Sequence, residues 1–164
     1  MASQWTDFAP FCSAARRAAR VVYSDFTLGA GLALAAGPAA AGSCPAARRR
    51  PDATRPVAHA AMGVTDTVLA SIDVAKELAA IEGRLFRLRR LTIEPGGIVR
   101  WHSHGDRPVR ICIVQGEIIE YASNCAVPIV HKAGDVATER HATSHWWENK
   151  GRGMVVLLSA DLPR

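Results

Sequence analysis

Glu94-Pro95-Gly96-Gly97-Ile98-Val99-Arg100-Trp101-His102-Ser103-His104 couples a turn signal to a β-prone run that ends in two histidines. Pro and Gly break the preceding pattern, and Ile, Val and Trp favour extended backbone. Residues i and i+2 of a strand face the same side, so the imidazoles of His102 and His104 can converge on one point. His145 opens a later β-prone run, SHWWENK (144–150), and completes a candidate set of three. Imidazole binds Fe, Zn, Ni and Cu, and three protein ligands leave positions open for water or substrate. An HxH pair alone also fits surface or core-edge histidines.

Working outward, the chain from residue 62 alternates short apolar runs with turn signals. The candidate strands are 65–71, 84–93, 98–104, 109–115, 117–123, 127–134, 135–139, 144–150 and 154–160. EPGG (94–97) reads as a turn between two of them, and Gly116 as the tip of a hairpin joining 109–115 to 117–123. VAKELAAIEG (74–83) carries at most a helical turn, stopped by Gly83. Short strands at regular spacing predict an all-β sandwich or barrel. There is no internal repeat, and no Gly-rich phosphate loop precedes a long helix.

The 164 residues are 49% hydrophobic and 21% charged, an ordinary globular balance. The net charge of +5 is uneven. Residues 1–60 hold seven Arg against three Asp, whereas residues 61–164 are close to neutral. A dedicated nucleic-acid-binding domain is therefore not expected. The four cysteines (Cys12, Cys44, Cys112, Cys125) form no CxxC pair, which argues against a disulfide scaffold or a Cys-based zinc finger.

Residues 1–61 read as an Ala/Arg-rich leader and linker, and residues 62–164 as the folded domain. AARRAAR (14–20), the apolar run 26–41 and its Ala39-Ala40-Ala41 end have the layout of a secretory signal peptide. A disordered tail and a misassigned start fit the same residues. The run is too short and too rich in Gly and Ala for a stable membrane span. Export to the periplasm is expected if residues 1–41 act as a signal, and a cytoplasmic location otherwise. CPAARRRPDATRP (44–56) reads as linker.

Here the chain resembles the cupins, single-domain jelly-roll β-barrels also described as a double-stranded β-helix. Their first motif runs G-x5-HxH-x3–4-E-x6-G, and here Gly96, His102, His104, Val109 and Gly116 follow that spacing. Their second motif runs G-x5-PxG-x2-H-x3-N, matched by Gly134, Arg140-His141-Ala142, His145 and Asn149. The likeness covers roughly residues 65–160, and 125–135 with 144–149 are similar to a small bacterial subgroup. Val109 stands where the family has a glutamate ligand, and Arg140 and Ala142 replace its Pro and Gly.

The resemblance implies a divalent metal (Fe, Mn, Zn or Ni) on His102, His104 and His145, a small-molecule substrate or ligand, and a homodimer. Oxygenase-like or isomerase-like chemistry is one expectation; a non-catalytic ligand-binding barrel with weak or no metal is the other. Asp106 shares the parity of the histidines and is a candidate fourth ligand, although GDRP (105–108) also reads as a turn that would redirect it. Arg100, Val109, Ile111, Ile113, His141, Trp147 and Asn149 are candidate pocket residues. Arg100 is the one suited to a substrate carboxylate, a solvated strand-end arginine being the alternative. Glu117 and Glu120 are expected to face solvent or a partner. Cys112 is expected to be an inert packed thiol and Cys125 a loop residue open to solvent.

Overall fold

The computed structural model describes residues 42–57 and 59–164, so the leader reading of residues 1–41 lies outside the described residues. Among the described residues eight strands follow in order: β1 (Met62–Asp73), β2 (Leu85–Ser103), β3 (Val109–Gln115), β4 (Glu117–Ala122), β5 (Ile129–Lys132), β6 (Val136–Glu139), β7 (Ser144–Glu148) and β8 (Val155–Asp161). The 74–83 segment contributes only a 3-10 turn, Val74–Lys76. The pairing order is β5-β4-β7-β2-β8-β3-β6, with β1 added on β2. This wraps the chain into a nearly closed antiparallel barrel, open where β5 and β6 are not paired with each other.

Two sequence expectations about connections change. EPGG is not a turn between strands but a bend inside β2. The first half of β2 pairs with β1 and β8, and its second half pairs with β7. A Cβ at Gly97 would lie 2.7 Å from Ile93 Cγ2 and 2.8 Å from the Glu94 carbonyl, so the bend needs glycine there. Nor is Gly116 the tip of a hairpin. β3 pairs with β6 and β8, whereas β4 pairs with β5 and β7. Gly116, at φ +84°, is a corner at which the chain leaves one half of the barrel for the other. Local residues announce a reversal at both places, but which strands then pair is decided by distant partners.

Period-2 alternation points Leu91, Ile93, Val109, Ile111, Ile113, Ile118, Val155 and Leu157 inward, where they form one core with Ala137 and Trp147. Each such side chain contributes about 1.5–3 kcal/mol on burial. Residues 44–56, read above as linker, are fastened to the barrel. Arg50 N–H donates to the Asn124 carbonyl (3.2 Å), Ala53 N–H to Ser123 (2.8 Å), and Ala126 N–H to Arg48 (2.9 Å). Cys44 and Cys125 form a disulfide, so Cys125 is buried rather than open to solvent. Cys112 is likewise not a free thiol. Among the described residues no helix is long and apolar enough to cross a membrane.

Candidate metal centre

His102 is the last residue but one of β2, His104 lies just past the strand's end, and His145 lies directly opposite His102 on β7. The three Nε2 atoms converge: His104 to His102 is 3.1 Å, His104 to His145 is 3.0 Å, and His145 to His102 is 3.1 Å. Each ring's other nitrogen faces an acceptor. His102 Nδ1 donates to the Arg100 carbonyl (2.9 Å), His104 Nδ1 to the Arg107 carbonyl (3.0 Å), and His145 Nδ1 to Glu120 Oε1 (2.7 Å). With the protons on Nδ1, three Nε2 lone pairs point at one another. That arrangement is repulsive unless a cation sits between them. Three nitrogens about 2.05 Å from one tetrahedral ion would stand roughly 3.3 Å apart, close to the spacing found. Burial and the neighbouring His145 push His102 down to about 3, and the same causes push His104 down to about 4. Both are therefore neutral at pH 7 and free of a competing proton.

The histidines border a cavity of about 340 Å³. Its apolar wall is Leu91, Val99, Ile111, Trp147 and Leu157, and its polar side carries Asp66, Arg89, Arg107 and Ser159.

Two solved structures are similar to this one in fold. A cupin domain of Cnp3 from Schizosaccharomyces pombe aligns with a TM-score of 0.50 at 17% identity, over 63% of this chain and 66% of that one. An uncharacterised conserved protein with a double-stranded β-helix domain from Klebsiella pneumoniae aligns at 0.50 and 18% identity, over 68% of this chain and 84% of that one. The fold is that of a cupin domain. No protein-family profile and no curated protein matches the chain.

Within this cupin barrel several expected residues fall elsewhere. Asp106 is not brought to the histidines: its side chain is 64% exposed and faces Arg164 at 3.5 Å. The turn after His104 redirects it, as GDRP allows. Arg100, Ile111 and Trp147 border the cavity, with Arg100 at its exposed rim. Val109 and Ile113 instead pack in the core. His141 is exposed in the turn before β7. Asn149 is a buried clamp whose Nδ2 donates to the carbonyls of Ile93 (3.0 Å), Glu94 (3.0 Å) and Gly153 (2.9 Å). It holds the β2 bend against the β7–β8 turn.

The largest correction is Glu120, expected at the surface and found 2% exposed. Its carboxylate accepts from His145 Nδ1 and from His131 Nε2, each at 2.7 Å. Burial is the largest single influence and would raise its pKa, but these two hydrogen bonds together with the Coulombic pull of both histidines outweigh it and bring it down to about 2. Trp147 Nε1 also lies 3.0 Å from His145 Nδ1. A protonated Nδ1 can donate only to the carboxylate, so the Glu120 pairing is the one that leaves Nε2 free for a metal. Glu139, directly across from Val109, is also buried, and its Oε2 is 3.8 Å from His145 Nδ1. Burial and the Glu120 charge raise it well above the ordinary carboxylate range, to about 8.

Glu120 and Glu139 form a second metal-competent group with His145, behind its ring. Among the described residues the three-His group itself includes no carboxylate. The inward parity shared by Ile118, Glu120 and Ala122 was the sequence signal for Glu120, and Ile129 gives the same signal for His131.

Proposed function

We propose that this chain is a metal-dependent cupin whose three-His centre acts on a small organic molecule. The convergence of three Nε2 lone pairs beside a 340 Å³ cavity carries the reading. His102, His104 and His145 would hold the ion. A neutral set of imidazoles suits Zn, Fe or Ni better than the harder Mn, which favours oxygen ligands. The metal would supply Lewis-acid chemistry, or oxygen chemistry if it is iron. The protein's own share is positional. Glu120 fixes the His145 tautomer, the Arg100 and Arg107 carbonyls fix the other two rings, and Trp147 with Leu91, Val99, Ile111 and Leu157 keeps water from one side of the cavity. Val109 favours the second reading, a ligand-binding barrel without turnover, because no anionic ligand joins the three histidines.

Elemental analysis of the full chain, produced without a histidine-rich tag, tests the proposal. Near-stoichiometric metal is expected, and it should be lost in His102→Ala/His104→Ala. Absence of metal after anaerobic reconstitution would overturn the metal reading. Metal without metal-dependent turnover of any small molecule would favour the binding barrel.

A further inference from the structure

One wall of the same cavity is built around a single buried carboxylate. Asp161, on β8, is 1% exposed. Three guanidinium groups share it. Arg87 is bidentate, Nε to Oδ1 at 3.0 Å and Nη2 to Oδ2 at 2.9 Å. Arg89 Nη2 is 3.2 Å from Oδ2 and Arg107 Nη1 is 3.3 Å from it. Arg89 also pairs with Asp66, which is 41% exposed, and reaches Ser159 Oγ at 3.4 Å. Arg87, Arg89 and Arg107 thus share one buried carboxylate, and of the three only Arg89 has a second carboxylate, Asp66, at ion-pair distance. Arg89 Nε is buried without a hydrogen-bond partner. Arg89 and Arg107 both border the cavity, as does His104, whose Nδ1 is held by the Arg107 carbonyl. A partly buried guanidinium such as Arg107, whose paired carboxylate is shared with two other arginines, is well placed to take an anionic ligand.

We infer that this cavity recognises a small organic carboxylate, bound by Arg107 and Arg89 beside the three histidines. The inference rests on reading the cavity as the substrate site, but it does not need the metal. A planar carboxylate suits a guanidinium fork, whereas the apolar wall offers no donors to the further oxygens of a phosphate. The apolar wall of Leu91, Val99, Ile111, Trp147 and Leu157 calls for a hydrocarbon body on that carboxylate. The volume, about 340 Å³, is at the small end of the roughly 300–1,000 Å³ typical of ligand cavities. Arg100 was the sequence candidate for this role, yet it sits at the exposed rim, where water competes.

The test is calorimetric titration of the full chain, with metal stripped and again with metal restored, using benzoate, benzamide and inorganic phosphate as probes. Saturable benzoate binding without metal is expected, with benzamide at least tenfold weaker because it lacks the charge. Arg107→Gln should weaken benzoate at least tenfold. Arg110→Gln, exposed on β3 and outside the cavity lining, should leave it unchanged. If Arg107→Gln does not fold, the benzoate–benzamide ratio in the unaltered protein decides. Equal binding of benzoate and benzamide, preference for phosphate, or unaltered binding in a folded Arg107→Gln variant would overturn the inference. So would the absence of benzoate binding. Arginine-dependent benzoate binding in a protein that takes up no metal would uphold it while the metal reading fell.

Discussion

His145 is gripped from both sides, by the cavity at Nε2 and by Glu120 at Nδ1. The charge of Glu120 makes its ring a better donor to a cation, and the hydrogen bond fixes the ring's rotation. Glu120→Gln keeps the shape and removes the charge. It should weaken metal binding about 10–100-fold, measured by competition with a chelator. An unchanged affinity would reduce Glu120 to a packing residue. The histidines also set a pH dependence. Burial and the neighbouring His145 push His102 and His104 down to about 3 and about 4 in the folded chain, below the unfolded value of 6.5. Between those values the unfolded chain binds more protons, so the metal-free protein loses stability as pH falls below about 6.5. Each histidine contributes at most about 1.4 kcal/mol per pH unit, less where water screens it. Glu139, raised to about 8 from 4.5, acts oppositely: its contribution falls as pH rises between those values. Urea unfolding in chelator from pH 7 to pH 4 should therefore show an acid-side loss that is reduced in His102→Ala/His104→Ala. The same loss in both proteins would count against buried neutral histidines.

At the scale of elements, one long strand does the work expected of two. β2 carries Arg87 and Arg89 in its first half and His102 in its second, so the bend at 94–97 brings the arginine wall and the metal ligands to one cavity. The Gly116 corner then sends β4 across the barrel, where Glu120 reaches His145. An alanine Cβ at Gly116 would lie 2.9 Å from both the Met154 carbonyl and Val155 Cγ2, in backbone already at φ +84°. Gly116→Ala should cost about 1–3 kcal/mol by urea unfolding. Gly153→Ala, where nothing lies within 4 Å of the new Cβ, should cost far less. Similar losses at the two sites would show that the corner is not the constraint. The two turn signals were legible as glycines. The pairing was not, because a glycine permits a reversal without naming the strand on the other side.

At the scale of the whole molecule, the Cys44–Cys125 disulfide fastens the segment before β1 over the side where β5 and β6 stay apart, spanning 81 residues of sequence. Beneath it lies a second cavity, lined in part by Cys44, Arg49, Glu120, His131 and Glu139. Replacing both cysteines by alanine should lower stability by about 2–4 kcal/mol, read from the unfolding midpoint. Metal stoichiometry should not change, since neither cysteine touches the three histidines. Loss of metal in a folded variant would mean that this segment supports the centre.

The all-β class and the HxH pair could be read from one chain because each rests on local order, while the choice of a barrel over a sandwich followed the resemblance. Strand alternation has a period of two, HxH places two rings on one face, and the spacing to His145 follows the resemblance. Glu120, His131, Arg89, Arg107, Asp161 and the Cys44–Cys125 bond could not be read that way. Their partners lie 11 to 81 residues away, and only the wrapped sheet brings them together. An isolated glutamate on a strand looks like a solvated surface residue, because the cost of burying its charge is offset only by two histidines from other strands. The side of the barrel a charge faces, and what meets it there, belongs to the tertiary structure.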